Sequence, residues 1–146
     1  MNTVYLAGPL FSKAERNWLR TVKALLTQAG LIVIWPWERV EQDALNCSPS
    51  PKQHIFEACR RAIHESDFMA AWLDGPLVDD GTAWEIGYAY AKGIPVYGLR
   101  TDLRRAGETS DSVVNCMIEC ACEKIFGSVD ELVQHLGQQH LPDSKG

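Results

Sequence analysis

Short apolar runs alternate with amphipathic stretches along this chain. Thr3 to Ala7 is apolar and is halted by Gly8 and Pro9, the pattern of a buried strand ending at a tight loop. Ser12 with Glu15 three residues on forms a capping box, and Trp18, Val22, Leu25, Leu26 and Ala29 make a helical stripe that Gly30 closes. Leu31 to Trp35 is a second apolar run, stopped by Pro36, so the first unit reads as strand, helix and parallel strand joined by a right-handed crossover. Glu38 to Lys52 shows no clean period and reads as a long loop with room for a helical turn. Gln53 to Glu65 carries Ile55, Phe56, Cys59, Ala62 and Ile63 at helical spacing, and Phe68 to Leu73 suits a central strand.

The second half continues in the same way. Thr82 to Lys92 predicts a helix closed by Gly93, Ile94 to Leu99 a fourth strand, Val113 to Cys122 a helix and Lys124 to Phe126 a short edge strand. Ser128 with Glu131 caps a last helix to about Leu136, and the tail 137–146 reads as frayed. Five strands alternating with helices, without an internal repeat, predict an α/β, doubly wound five-stranded parallel sheet of flavodoxin-like order 2-1-3-4-5. In such sheets ligands bind at the carboxyl ends of the strands, which gathers the loops Gly8 to Phe11, Trp35 to Glu38, Asp74 to Thr82 and Arg100 to Asp102 around one crevice.

Composition narrows the possible partners. The 146 residues fit a single domain, 1–146, whose 46% hydrophobic and 23% charged content is ordinary for a soluble protein. A formal charge of -5 argues against nucleic acid, which needs a basic surface, and favours a small-molecule or protein partner. The first residues lack a basic flank and no apolar run reaches membrane-spanning length, so no membrane association and a cytoplasmic location are expected. Five cysteines, Cys47, Cys59, Cys116, Cys120 and Cys122, read as reduced thiols. Cys116, Cys120 and Cys122 lie close in sequence, but without histidines at ligand spacing they give no metal expectation.

The densest chemistry lies between Asp74 and Arg100, where Asp74, Asp79, Asp80 and Glu85 cluster at a strand-to-helix junction. Glu85 has two readings: a capping-box partner of Thr82, or a nucleophile in the first turn of a helix whose positive end keeps it ionised. Asp79 and Asp80, ahead of Gly81, either satisfy local backbone donors or serve as acid/base and sugar-binding groups. Phe11, Trp35 and Trp37 are individually core-like, yet together they could sandwich a planar heterocycle. The first loop reads GPLF rather than GxGxxG, no GxxxxGK[ST] occurs, and the four histidines form no triad pattern.

YLAGPLF, then SDFMAAWLDGP, then DDGTAWEIGYAYAKGIPVYGLRTD resemble the nucleoside 2-deoxyribosyltransferase family, which also includes deoxynucleoside 5′-monophosphate N-hydrolases. The resemblance runs from Tyr5 to about Leu136, and DxGTAWEIGYA is its most specific part. It implies a family glutamate at Glu85 that attacks the anomeric carbon of a 2′-deoxyribonucleoside and forms a covalent deoxyribosyl-enzyme, resolved by a second base or by water. The absent 2′-hydroxyl makes the oxocarbenium-like transition state more accessible, and an adjacent carboxylate stabilises its charge. It further implies that Asp79 is the loop aspartate serving the departing base and that Tyr5 and Phe11 line the pocket; Gly8, Trp37, Asp74 and Gly81, in the strand-exit loops, are further substrate-binding candidates.

Asn115 matches a residue that reaches the sugar 5′ position of a neighbouring subunit's site, which implies a homo-oligomer. Serine there accompanies 5′-phosphate recognition, so asparagine points to a free nucleoside. The expected partners are therefore a deoxynucleoside and a free nucleobase, with no cofactor and no metal. Two positions depart from the family: Cys59 stands where transferases carry a helix-borne aspartate, and the tail ends in PDSKG without a terminal tyrosine. The expected activity is deoxyribosyl transfer between bases. The alternatives are the same cleavage with water as acceptor, on a nucleoside or 5′-monophosphate, and a non-catalytic nucleotide-sensing domain.

Overall fold

A computed structural model describes residues 1–39 and 49–139. Its strands are β1 (Thr3–Ala7), β2 (Ile32–Ile34), β3 (Phe68–Trp72), β4 (Val96–Leu99) and β5 (Lys124–Phe126). Its helices are α1 (Lys13–Gln28), α2 (Pro51–His64), α3 (Asp80–Ala91), α4 (Cys116–Glu119) and α5 (Val129–Gln138). The strands form one sheet in the order β2-β1-β3-β4-β5, and every pairing is parallel, as the sequence pattern predicts. Cys47 and most of the loop read over 38–52 lie outside the described residues, as does the tail from 140. Residues 36–39 are already helical. No helix among the described residues is long and apolar enough to cross a membrane.

Strand alternation sorts the core into two layers. Val4, Leu6, Phe68, Ala70 and Leu99 face α1 and α5, where Leu19, Val22, Leu26, Leu132 and Leu136 are fully buried. The intervening residues Tyr5, Ala7, Met69, Ala71 and Val96 face α2 and α3, meeting Ala62, Ile63, Ile86 and Ala89. Period-2 strands between 3.6-period helices leave little choice: each sheet face must be covered by a helical stripe. Burying a leucine such as Leu19 or Leu26 stabilises the fold by roughly 1.5–3 kcal/mol. The same alternation assigns Tyr5 to the α2/α3 side of the sheet.

Helix ends follow local chemistry. Ser12 accepts from Glu15 N at 3.1 Å while the Glu15 carboxylate takes Ser12 N at 2.7 Å, so the predicted capping box forms. Gly30 and Gly93, with φ of +89° and +71°, end α1 and α3 in the left-handed conformation that glycine tolerates. The helix predicted over Val113 to Cys122 shrinks to the single turn of α4. Val113 is held otherwise: its carbonyl accepts from Ala106 N at 3.1 Å, and its N–H donates to the Glu119 carboxylate at 3.1 Å. Val114 is buried beneath this loop.

Candidate active site

Helix α3 begins two residues before the predicted start, because Asp79 rather than Thr82 is its cap. Asp79 Oδ2 accepts from both Thr82 N and Thr82 Oγ1, each at 2.9 Å. The Thr82–Glu85 capping box therefore does not form, and Glu85 sits in the second turn rather than the first. Released from the helix end, its side chain faces the sheet, where Oε2 accepts a short hydrogen bond from the Tyr5 hydroxyl.

Glu85 is half-buried and lines a cavity, and burial raises its pKa from 4.5 to about 7. The Tyr5 hydrogen bond opposes that rise, while the negative charge of Asp79 adds to it. The expectation that the helix end keeps Glu85 ionised is thus overturned: desolvation outweighs a dipole whose influence fades beyond the first turn. Tyr5 is itself buried, and burial first, then the charge of Glu85, hold its phenol well above the ordinary range. It stays protonated and donates. The Tyr5 hydroxyl also meets Cys59 of α2, whose thiol burial pushes up. Contact with the Tyr5 hydroxyl offsets part of this, Glu85 adds to the rise, and the Arg39 charge opposes it. Cys59 is therefore a neutral thiol where a carboxylate would have placed another charge beside Glu85.

These groups open into a cavity of about 470 Å³ at the carboxyl edge of the sheet. Gly8, Leu10 and Phe11 form the wall after β1, and Pro36 the wall after β2. Helix α2 contributes Ile55, Phe56 and Cys59, and the α3 junction contributes Asp79, Gly81, Trp84 and Glu85. The β1 loop is tied to α1: Glu15 Oε2 accepts from Phe11 N at 2.8 Å, and Arg16 donates to the carbonyls of Leu10 at 3.1 Å and Phe11 at 2.7 Å. Phe11 is thereby held at the mouth although the residue is 74% exposed. Two carboxylates in an otherwise largely apolar cavity can stabilise a developing cation, attack it, or move a proton.

Of the sequence-selected residues, the structure brings together Tyr5, Gly8, Phe11, Asp79, Gly81 and Glu85. Asp74 is spent on the exit of β4: its Oδ1 accepts from Thr101 N at 2.6 Å and Asp102 N at 3.1 Å, and the Thr101 hydroxyl donates to its other oxygen. Buried Arg100 braces the same loop through the carbonyls of Leu73 and Gly75. Trp35 is core at 2% exposure, and Trp37 packs on that core with the Arg16 guanidinium 4.6 Å from its ring, so neither lines the cavity. Asn115 caps α4, accepting from Met117 N at 2.9 Å. It lies in a separate groove with Leu77, Val78, Asp80, Ala83 and Gly87. The four-carboxylate cluster thus splits, leaving only Asp79 and Glu85 on the cavity.

Sequence reasoning missed Ile55, Phe56 and Trp84 as cavity residues. The apolar stripe of α2 reads as core throughout, yet only Ala62 and Ile63 are buried. Trp84 falls outside the buried set of Thr82, Ile86 and Ala89. A tryptophan off the inner face of a helix, next to a candidate nucleophile, was the available signal.

A flavodoxin-like sheet whose carboxyl edge holds a desolvated glutamate in an apolar cavity defines a small-molecule site of the kind enzymes use. The family model described as Nucleoside 2-deoxyribosyltransferase matches residues 4–117, and the chain belongs to that family. The chain is similar to a conserved protein from Enterococcus faecalis V583, at 28% identity over 95% of this chain and 99% of that one, with a TM-score of 0.73. It is also similar to a 2-deoxyribosyltransferase from the psychrotolerant Bacillus psychrosaccharolyticus, at 25% identity over 90% of each chain and a TM-score of 0.74. A 2-desoxiribosyltransferase from Leishmania mexicana shares the fold, with 23% identity, 97% and 100% coverage and a TM-score of 0.72.

Proposed function

We propose that this protein is a nucleoside 2-deoxyribosyltransferase that works through a covalent deoxyribosyl-Glu85 intermediate. The observation that carries the reading is the Glu85 carboxyl, held by Tyr5 and desolvated at the cavity together with Asp79. In its ionised form, a Glu85 oxygen attacks C1′ of a 2′-deoxyribonucleoside as the N-glycosidic bond breaks. The base leaves with the bonding electron pair and takes a proton from Asp79 in its protonated form, or from water beside the Asp79 carboxylate. A second base then attacks C1′, the ester bond to Glu85 breaks, and that base returns its proton to the Asp79 carboxylate or to the water beside it. Tyr5 occupies Oε2 by hydrogen bonding, which leaves Oε1 to react. The pKa of about 7 suits both halves of the cycle, since a carboxylate titrating near neutrality is both a competent nucleophile and a competent leaving group.

The test is incubation with a 2′-deoxynucleoside, with and without a second free base. Exchanged nucleoside supports transfer, whereas free deoxyribose without exchange makes water the acceptor. Intact mass after exposure to a 2-fluoro-2-deoxyribosyl nucleoside checks the intermediate. If Glu85 gains no adduct and there is no turnover, the catalytic reading fails and a nucleotide-sensing role gains ground.

Asn115 lies away from its own chain's cavity, in a groove of about 470 Å³ flanked by Leu77 and Met117, each 79% exposed. We assign that groove to packing against a second copy, which carries Asn115 to the neighbour's sugar site. Sedimentation of the wild type and of Met117→Asp tests it, and an active wild-type monomer would overturn it.

A further inference from the structure

Trp84 is 47% exposed and Phe56 42% exposed at the mouth of the cavity, and their rings meet edge to face at 5.1 Å. Exposure on this scale leaves part of the aromatic area uncovered. Behind Trp84 the packing is firm. Tyr88 stacks on the indole at 5.4 Å and 8°, and its hydroxyl accepts from Arg60 Nη1 at 3.3 Å. Arg60 is fixed in turn to Glu57 by hydrogen bonds of 3.0 and 2.8 Å. A buttressed ring gives up little conformational freedom when a flat ligand lands on it.

The rest of the wall is as informative. Besides Glu85 and Asp79, the described side chains that line the cavity are apolar or the neutral thiol of Cys59, with no amide, hydroxyl, lysine or arginine among the described lining residues. Apart from Asp79, a base in this cavity meets no side-chain fork of donors and acceptors among the described residues that could read its edge. It is sorted by the area of its π-face and by fit.

We infer that Trp84 and Phe56 form a stacking corner that selects purine over pyrimidine bases, as leaving group and as acceptor, and that Tyr88 and Arg60 hold Trp84 in place. The inference rests on the proposed deoxyribosyl transfer and names its substrate class. A bicyclic base covers more of the corner than a monocyclic one, whether its edge carries an amino or an oxo group.

The experiment compares kcat/KM of the full chain for 2′-deoxyadenosine, 2′-deoxyguanosine, 2′-deoxycytidine and thymidine, in the wild type, Trp84→Ala, Trp84→Phe and Phe56→Leu. Calorimetric binding of free adenine and cytosine runs alongside. Wild type is expected to favour both purines on the order of 10-fold or more, the scale of one aromatic stack. Trp84→Ala should bring that ratio to within about threefold, mainly through KM, and Trp84→Phe should restore most of it. Equal use of purines and pyrimidines by the wild type, or a ratio untouched in both Trp84→Ala and Phe56→Leu, overturns the inference while leaving the transferase reading intact. Adenine binding that depends on Trp84 without turnover of any deoxynucleoside does the reverse.

Discussion

Replacing Tyr5 by phenylalanine isolates the contact on which the chemistry of Glu85 turns. The buried ring is retained and a single hydroxyl is lost, so the packing of β1 against α2 and α3 is preserved. In the wild type that hydroxyl donates to Glu85 and lowers its pKa, against the larger upward push of burial and the smaller one of Asp79. A hydrogen bond to a charged group contributes about 1.5–3 kcal/mol, and one pH unit corresponds to about 1.4 kcal/mol. Losing the bond therefore moves Glu85 from about 7 to roughly 8–9. At pH 7 the ionised fraction falls from about one half to between 1 and 10%, and kcat/KM falls roughly 5- to 50-fold. The acid limb of the pH profile moves alkaline by the same one to two units, so much of the loss is recovered near pH 9. Initial rates of base release between pH 5 and 10 read this directly. An acid limb that stays put or moves acid in Tyr5→Phe would refute the linkage between the hydroxyl and the carboxylate.

Glu85→Gln abolishes the nucleophile and should lower base release at least about 1,000-fold, yet it should stabilise the protein at alkaline pH. The folded pKa of about 7 lies above the unfolded value of 4.5, so the stability associated with the protonated carboxyl is full below pH 4.5 and lost as pH rises through 7. That loss is at most about 3 kcal/mol, so thermal melts should show glutamine gaining on wild type at pH 8 and little at pH 5; equal gains at both would contradict a desolvated carboxylate. Asp79→Asn keeps a capping side chain and should leave the melting temperature nearly unchanged. Removing its charge should shift the acid limb to lower pH, and kcat should drop on the order of 100-fold if Asp79 supplies the proton; unchanged kcat would assign that proton to water. Gly107→Ala should destabilise by about 1–3 kcal/mol in urea melts, since the new Cβ would lie 2.6 Å from the Val114 carbonyl and 2.0 Å from Ser112 Cβ. A neutral result would mean that the loop shifts freely.

The hydrophobic pattern by itself determined the element order, the parallel sheet and its strand order, because period-2 and period-3.6 stripes leave few ways to bury both sheet faces. It also determined the caps at Ser12 and Ser128 and the closing glycines, which depend on residues three or four positions apart. The cap that Asp79 makes with Thr82 is equally local, but tertiary structure decided which carboxylates reach the cavity. Asp79, Asp74 and Glu85 look alike in sequence, yet one caps α3 at the edge of the cavity, one ties two strand exits together, and one is aimed at a tyrosine 80 residues away. The same holds for the aromatics. Trp35 went to the core while Trp84 and Phe56 went to the cavity mouth, since which face of a helix or loop meets a void depends on the neighbours packed around it. Pairings across such distances depend on how the layers stack, and desolvation, which sets the charge of Glu85, exists only once they have.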